Sequence, residues 1–281
     1  TTEIPPDAVA GFFDGSTGEP SPALTTLGAV ALAQAGRHDA ARALVDAALR
    51  DLAASGELRR TYNKWFVRTL PTGVRLGWPI GVSFAFEALL FNASTFLMGR
   101  IGAGEVAAYQ VALNVAATAF MMPLGLAMAG GVRVGLHKGA GDSAGVRRAA
   151  LLTILVNMAV MVLFWIPVMI SPTFVAGLYL NADDAANAAV LALVASFLPI
   201  AAAFGLFDAT QVAAMNGLRG RKDVRFPMIL TGVSYWPIGF ALAWFLGLQT
   251  DLGAVGVWWG LLAGLFAAAA SLSARLWVLV R

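Results

Sequence analysis

With 281 residues, 59% of them hydrophobic and only 12% charged, the chain is far more apolar than an ordinary soluble domain and reads as an all-α integral membrane protein. It contains no cysteine, which excludes disulfides, thiolate metal sites and thiol nucleophiles. The net charge of +3 does not point to a nucleic-acid partner, because the basic residues gather at the ends of apolar segments rather than on one face.

The charge is uneven along the chain. Residues 1 to 70 carry 15 of the 35 Asp, Glu, Lys and Arg residues, leaving 20 for the 211 that follow, so a polar head precedes a membrane body. The start, TTEIPPDAVAGFFDGSTGEP, has no basic stretch followed by an apolar core and no initiator Met, and the chain is expected to be a processed product or a fragment of something longer. Residues 1 to 20 read as loop. Ser21 before Pro22 resembles an N-cap with proline in the first turn, and Leu24, Leu27, Ala31 and Ala35 then recur at helical spacing. From Asp39, Leu44, Val45, Ala48, Leu49 and Leu52 form an apolar face with Arg42, Asp46, Arg50 and Asp51 mostly off it. Residues 1–58 are thus expected to form a small soluble amphipathic helical hairpin with its loop, and residues 59–76 a basic juxtamembrane linker. Residues 55 to 70, SGELRRTYNKWFVRTL, are similar to the C-terminal tail of periplasmic binding proteins for polar amino acids; a basic, aromatic segment lying on the membrane surface is the preferred functional reading.

From residue 77 to the end at 281, six apolar segments follow, at about 77–98, 106–131, 149–170, 188–213, 226–247 and 253–279. Each reaches the roughly 20 residues that a spanning helix needs. None shows the strict alternation of a barrel strand. Arginine and lysine concentrate before the first segment, between the second and third, and between the fourth and fifth, while the intervening turns carry Arg100 with Glu105, Asp183 with Asp184, and Asp251. That alternation predicts six spans with both termini cytoplasmic, in a bacterial inner membrane. Pro79, Pro123, Pro199 and Pro237 are candidate kinks, tolerated where protein or a wet cavity re-satisfies the freed carbonyls.

Two acids lie deep in these segments, Glu87 in the first and Asp208 in the fourth. A carboxylate at mid-membrane costs about 2.5 to 3.5 kcal/mol even on lenient insertion scales, so such residues face a bundle interior or cavity and mark ion or proton pathways. Gln211 stands three residues from Asp208, and Gln110 and Asn114 stand four apart in the second segment, so each pair shares a helix face. Asn92, Ser94 and Thr95 add oxygens a turn or two from Glu87. Two carboxylates with amide and carbonyl oxygens can ligate a hard monovalent cation, with protonation as the alternative. For each amide, bonding between helices is an equal alternative to a ligand role.

Nothing suggests an enzyme. GAGDSAG at 139–145 follows a spanning segment rather than a strand and lacks the Lys-Ser/Thr of a phosphate loop. His38 and His137 offer no metal-ligand spacing, so no metal is expected beyond a transient Na+, and no other cofactor.

In order along the chain, LGWPIGVSFAFEALLF, MGRIGAGEVAAYQVALN, FMMPLGLAMAGGVRVG, GAGDSAGVRRAA, LFDATQVAAMNGLRGRKDVRFPM and the Gly-Val-Trp-x-Gly of the last span resemble the C-terminal six-helix lobe of multidrug and toxic compound extrusion (MATE) transporters of the NorM-like branch. The resemblance covers about residues 71 to 281. It implies a lobe of a two-lobed exchanger that expels cationic, amphipathic drugs against Na+ or H+, with Glu87 and Asp208 at the cation-binding acids and Gln110 and Asn114 at polar positions beside them. Phe204 falls where relatives often have Tyr, which removes one oxygen ligand, and Tyr109 replaces the common His of its segment. The family's other lobe has no counterpart here, so transport as the resemblance implies requires a homodimer or a separately encoded lobe. Two other classes compete: a non-transporting membrane anchor or degenerate lobe, and a flippase for a lipid-linked substrate. The flippase is disfavoured because no cationic group for a pyrophosphate lies deep in the spans.

Overall fold

The computed structural model describes residues 38–54, 70–181, 184 and 187–281, together with the isolated positions 36, 56, 60 and 63. The chain divides into two compact units, Thr1–Val74 and Arg75–Arg281. In the first, α1 spans His38–Ala54, with Asp39 in its first turn where a carboxylate complements the helix dipole. This is the helix expected from Asp39 onward, although Val45, expected on its apolar face, is exposed. The expected helix before it, and nearly all of the tail-like stretch 55–70, lie outside the described residues.

The second unit is built entirely from helices among its described residues. They are α2 (Leu70–Ile101, which begins within the first unit), α3 (Ala103–Gly139), α4 (Ser143–Ile170), the short α5 (Pro172–Gly177), α6 (Ala188–Gly220), α7 (Arg225–Val233), a π-helical segment (Ser234–Phe240), α8 (Ala241–Leu248) and α9 (Gly253–Val280). Among the described residues, six spans are long and apolar enough to cross a membrane, the fifth composed of α7, the π-helical segment and α8. The helices run past the apolar segments at several ends. Residues 70–76, expected as linker, are helical, with Pro71 in the first turn where its missing N–H costs nothing. At the far ends of α3 and α6 the helix likewise carries charged residues beyond the hydrocarbon-length core.

Helix α6 is the centre of the bundle, packed against α3, α4 and α9. Every residue from 211 to 218 is buried, which explains why this stretch shows no polar face to the sequence reader. Small residues let the backbones meet. A Cβ placed on Gly264 of α9 would stand 2.6 Å from the Gly239 Cα and 2.9 Å from the Ser234 carbonyl oxygen, and one on Gly260 would collide with the backbone of Ala243. Helix α2 makes its contacts differently, through large rings: Phe86 lies over Gly232, Phe91 meets Phe204 edge-on at 5.9 Å, and Phe84 lies under the Arg219 guanidinium at 5.0 Å.

The tight turns are held by specific polar contacts. Between α3 and α4, the Asp142 carboxylate accepts the Gly145 N–H at 2.8 Å and lies 3.0 Å from His137 Nδ1, while Gly141 takes φ +73°, a conformation that glycine adopts freely. After α6, Arg275 of α9 donates to Asp223 at 3.1 Å and lies 4.4 Å over the Phe226 ring, which ties that turn to the last span.

The Gly145 N–H, and secondarily His137, hold the Asp142 carboxyl below its ordinary range. A depressed acid contributes its stabilisation above the unfolded value and loses it as pH falls through the folded one. Hydrogen exchange of the Gly145 and Val146 amides, corrected for intrinsic rates, is therefore expected to stay slow down through the ordinary aspartate range and to accelerate below it. Asp142→Ala should show the fast exchange at every pH.

Candidate functional site

Glu87 sits near the middle of α2 and Asp208 near the middle of α6, so each is carried to the depth of the bundle by an uninterrupted helix. The two come together. Glu87, Leu90, Phe91, Phe204, Asp208, Tyr235, Leu261 and Leu265 line one crevice that is too narrow for a water-sized sphere. Asp208 is only 7% exposed. No described residue donates a hydrogen bond to either carboxylate. Two carboxylates sharing an apolar crevice repel when both are charged, and only a proton or a cation between them relieves the repulsion.

Tyr235, which the sequence reading did not single out, is the third polar group here. It is 1% exposed, and its hydroxyl is buried without a hydrogen-bond partner. The Gln211 side chain lies close to that hydroxyl but outside hydrogen-bond geometry. Tyr235 is held in the π-helical segment that contains Pro237, where the wider winding re-aims side chains. The signal available in the sequence was a hydroxyl-bearing aromatic two residues before a mid-span proline. An orphaned buried hydroxyl beside two carboxylates is an all-oxygen donor set, which suits a hard monovalent cation stripped of most of its water.

Phe204 forms the wall of the crevice, edge-on to Phe91 and to Trp258 at 6.0 Å. Gln211 is buried, one turn from Asp208 on α6. The remaining candidates lie elsewhere. Gln110 and Asn114 are exposed and do not line the crevice: Gln110 donates to Thr95 Oγ1 at 3.4 Å, and Asn114 accepts the Tyr179 hydroxyl at 3.0 Å. The reason is the packing face of α3. Ala108, Ala112, Val115, Ala116 and Ala119 turn inward, and at about 100° per residue Gln110 and Asn114 fall roughly half a turn away. Their neighbour Tyr109 is the inward residue, fully buried, 5.5 Å from the Trp258 ring and with its hydroxyl 3.5 Å from the Phe91 carbonyl oxygen. Asn92, Ser94 and Thr95 bond the carbonyls of Ala88, Leu90 and Phe91 on their own helix, so they satisfy α2 rather than Glu87.

Arg219 was assigned by sequence to a connection. It stands in the last turn of α6, half-buried, with its guanidinium on the Phe84 ring one helical turn before Glu87, and its charge is felt at Glu87. Arginine does not line the crevice, so the acids keep no fixed counter-ion in contact.

Comparison with known proteins bears on the whole second unit. The sequence model of the MatE family matches residues 79–245. The chain is 42% identical over 202 residues to a protein named "Multidrug resistance protein NorM" from Burkholderia vietnamiensis, an alignment covering 72% of this chain and 44% of that one. It is 43% identical over 201 residues to a "Probable multidrug resistance protein NorM" from Deinococcus radiodurans, covering 72% and 45%. Among solved structures, a MATE protein in complex with MaL6 superposes with a TM-score of 0.65 at 20% identity, over 74% of this chain and 46% of that one. The eukaryotic MATE transporter AtDTX14 superposes at 0.64 and 21% identity, over 72% and 44%. These likenesses share the fold. The chain spans less than half the length of the curated relatives it matches. A family match over more than half of the chain, on the helices that bring Glu87 and Asp208 together, has one meaning: the chain is a multi-pass membrane protein of the MatE family, a family of transporters rather than enzymes.

Proposed function

We propose that the second unit is one lobe of a secondary active exporter, in which a Na+ ion or a proton held by Glu87 and Asp208 is exchanged for an organic cation of amphipathic character. The observation that carries this reading is the crevice itself: two mid-span carboxylates from helices distant in sequence meet in a lining with no cationic side chain, and no described residue donates a hydrogen bond to either. Such a pair, Asp208 buried and Glu87 half-buried, has a use for an exchangeable cation and little value as structure, since unpaired acids at this depth are costly. The relatives' names, which speak of multidrug resistance, support the substrate class. Tyr235 supplies a further oxygen, and Phe204 keeps that side of the site dry. Gln110 and Asn114, on the exposed side of α3, belong to whatever faces this lobe rather than to the ion.

The lobe works against a second six-helix lobe, which another copy of the chain can supply, in a bacterial inner membrane with both termini cytoplasmic. Alternating access is relative motion of two such halves around a fixed site. Membrane vesicles containing the chain are expected to expel ethidium faster when a Na+ or pH gradient is imposed than when it is collapsed. Chemical crosslinking of the detergent-purified protein should trap a pair of lobes. Ethidium movement indifferent to both gradients, together with a strict monomer, would instead support the reading of the chain as a non-transporting anchor.

A further inference from the structure

Away from the carboxylates, the hairpin of α3 and α4 encloses a groove of about 590 Å³ that the exchange reaction does not use. Its chemistry is graded along its length. At the hairpin end stand Arg133 of α3 and Arg148 of α4, both exposed and both lining the groove. Leu126 on α3 and Leu152 and Val156 on α4 continue the lining inward. At 1.5 Å per residue, Leu126 lies about 10 Å from Arg133 along α3, and Val156 about 12 Å from Arg148 along α4. Of the polar residues on the inner floor, Thr153 donates to the Ala149 carbonyl and Asn157 to the Thr153 carbonyl of their own helix, while the buried Asn157 Oδ1 keeps no partner and is the one orphaned acceptor beyond the apolar lining.

The arginines are available. Neither makes a hydrogen bond or salt bridge to a described residue, whereas the adjacent Arg147 is occupied over the Trp277 ring at 5.1 Å. Asp142 feels the charge of Arg148 but forms no salt bridge with it, its oxygens being taken by the Gly145 N–H and by His137. Two free guanidiniums above an apolar trough, in a protein surrounded by bilayer, match one ligand class. A phosphodiester binds the arginine forks in bidentate fashion, and an acyl chain follows the leucine and valine lining toward the membrane interior.

We propose that the α3–α4 groove is a binding site for an anionic phospholipid, with the headgroup phosphate on Arg133 and Arg148 and an acyl chain along Leu126, Leu152 and Val156. This site is separate from the crevice of Glu87 and Asp208 and stands whether or not that crevice binds an ion.

The test uses the full chain in mixed micelles with a diazirine-tagged phosphatidylglycerol carrying the photoreactive group in its acyl chain. Crosslinks are expected to concentrate in peptides covering residues 126–156, and to be competed by untagged phosphatidylglycerol at about tenfold lower concentration than by phosphatidylcholine with the same chains. Replacing both arginines, Arg133→Ala with Arg148→Ala, should reduce crosslinking about tenfold, while Arg147→Ala leaves it unchanged. If the double variant fails to fold, the competition on the unaltered chain decides alone. Crosslinks spread evenly over all spans, or equal competition by phosphatidylcholine, would overturn the proposal. Equal competition by soluble glycerol phosphate would also overturn it, by reassigning the arginines to a free phosphate compound.

Discussion

Asp208→Asn is expected to reduce gradient-driven ethidium efflux to the level of protein-free vesicles while leaving the thermal stability of the chain equal or higher. The two halves of this result have different causes. Asparagine keeps the shape of aspartate, so the crevice walls formed by Phe204, Leu261 and Leu265 remain packed. It removes an ionisable group that the fold holds 7% exposed without a hydrogen-bond donor, and residues kept for function at a cost in stability leave the fold equally or more stable when neutralised. It also removes the second anionic ligand, so Glu87 alone no longer holds a dehydrated cation against water. Differential scanning in detergent beside vesicle efflux reads both quantities. A variant that unfolds would reclassify Asp208 as a structural acid.

Gly260→Val carries the largest expected cost in stability. The substituent would run into the Ala243 nitrogen and Cα, which are backbone atoms and cannot rotate away. Overpacking of this kind typically costs about 1 to 3 kcal/mol and more when the backbone must move. Displacing α9 from α8 also displaces the π-helical segment, because Gly264, one turn further along α9, rests on Gly239 and Ser234. The crevice would lose Tyr235 from one side and Leu261 and Leu265 from another. Loss of a monodisperse peak in size-exclusion chromatography is the expected readout. Gly81→Val, where a Cβ meets nothing within 4 Å, should behave as wild type or slightly better, since valine is the better helix former.

The sequence made the six spans legible because hydrocarbon thickness imposes a length and composition that no other element shares. It made Glu87 and Asp208 legible for a related reason: an acid at that depth is expensive enough to stand out from an apolar run. Periodicity reached its limit at Gln110 and Asn114. Their spacing showed that they share a face of α3, but not that a row of alanines occupies the face turned to the core. Tyr235 was hidden because tyrosine costs little in an apolar helix, and only the π-helical winding at Pro237 determines where it points. Arg219 was hidden by the length of α6, which continues as helix past the apolar segment that marked its end. In the head, the helix from Asp39 was read from its own pattern and formed as α1.

All of these elements converge on one claim, that Glu87 and Asp208 make a single ion site. The most direct measurement is equilibrium binding of radioactive sodium to the purified chain, paired with proton uptake and release in weakly buffered solution. The account predicts a saturable site for Na+, or for a proton displaced by it, that disappears in Glu87→Gln and equally in Asp208→Asn. Binding that survives unchanged in either variant would contradict it.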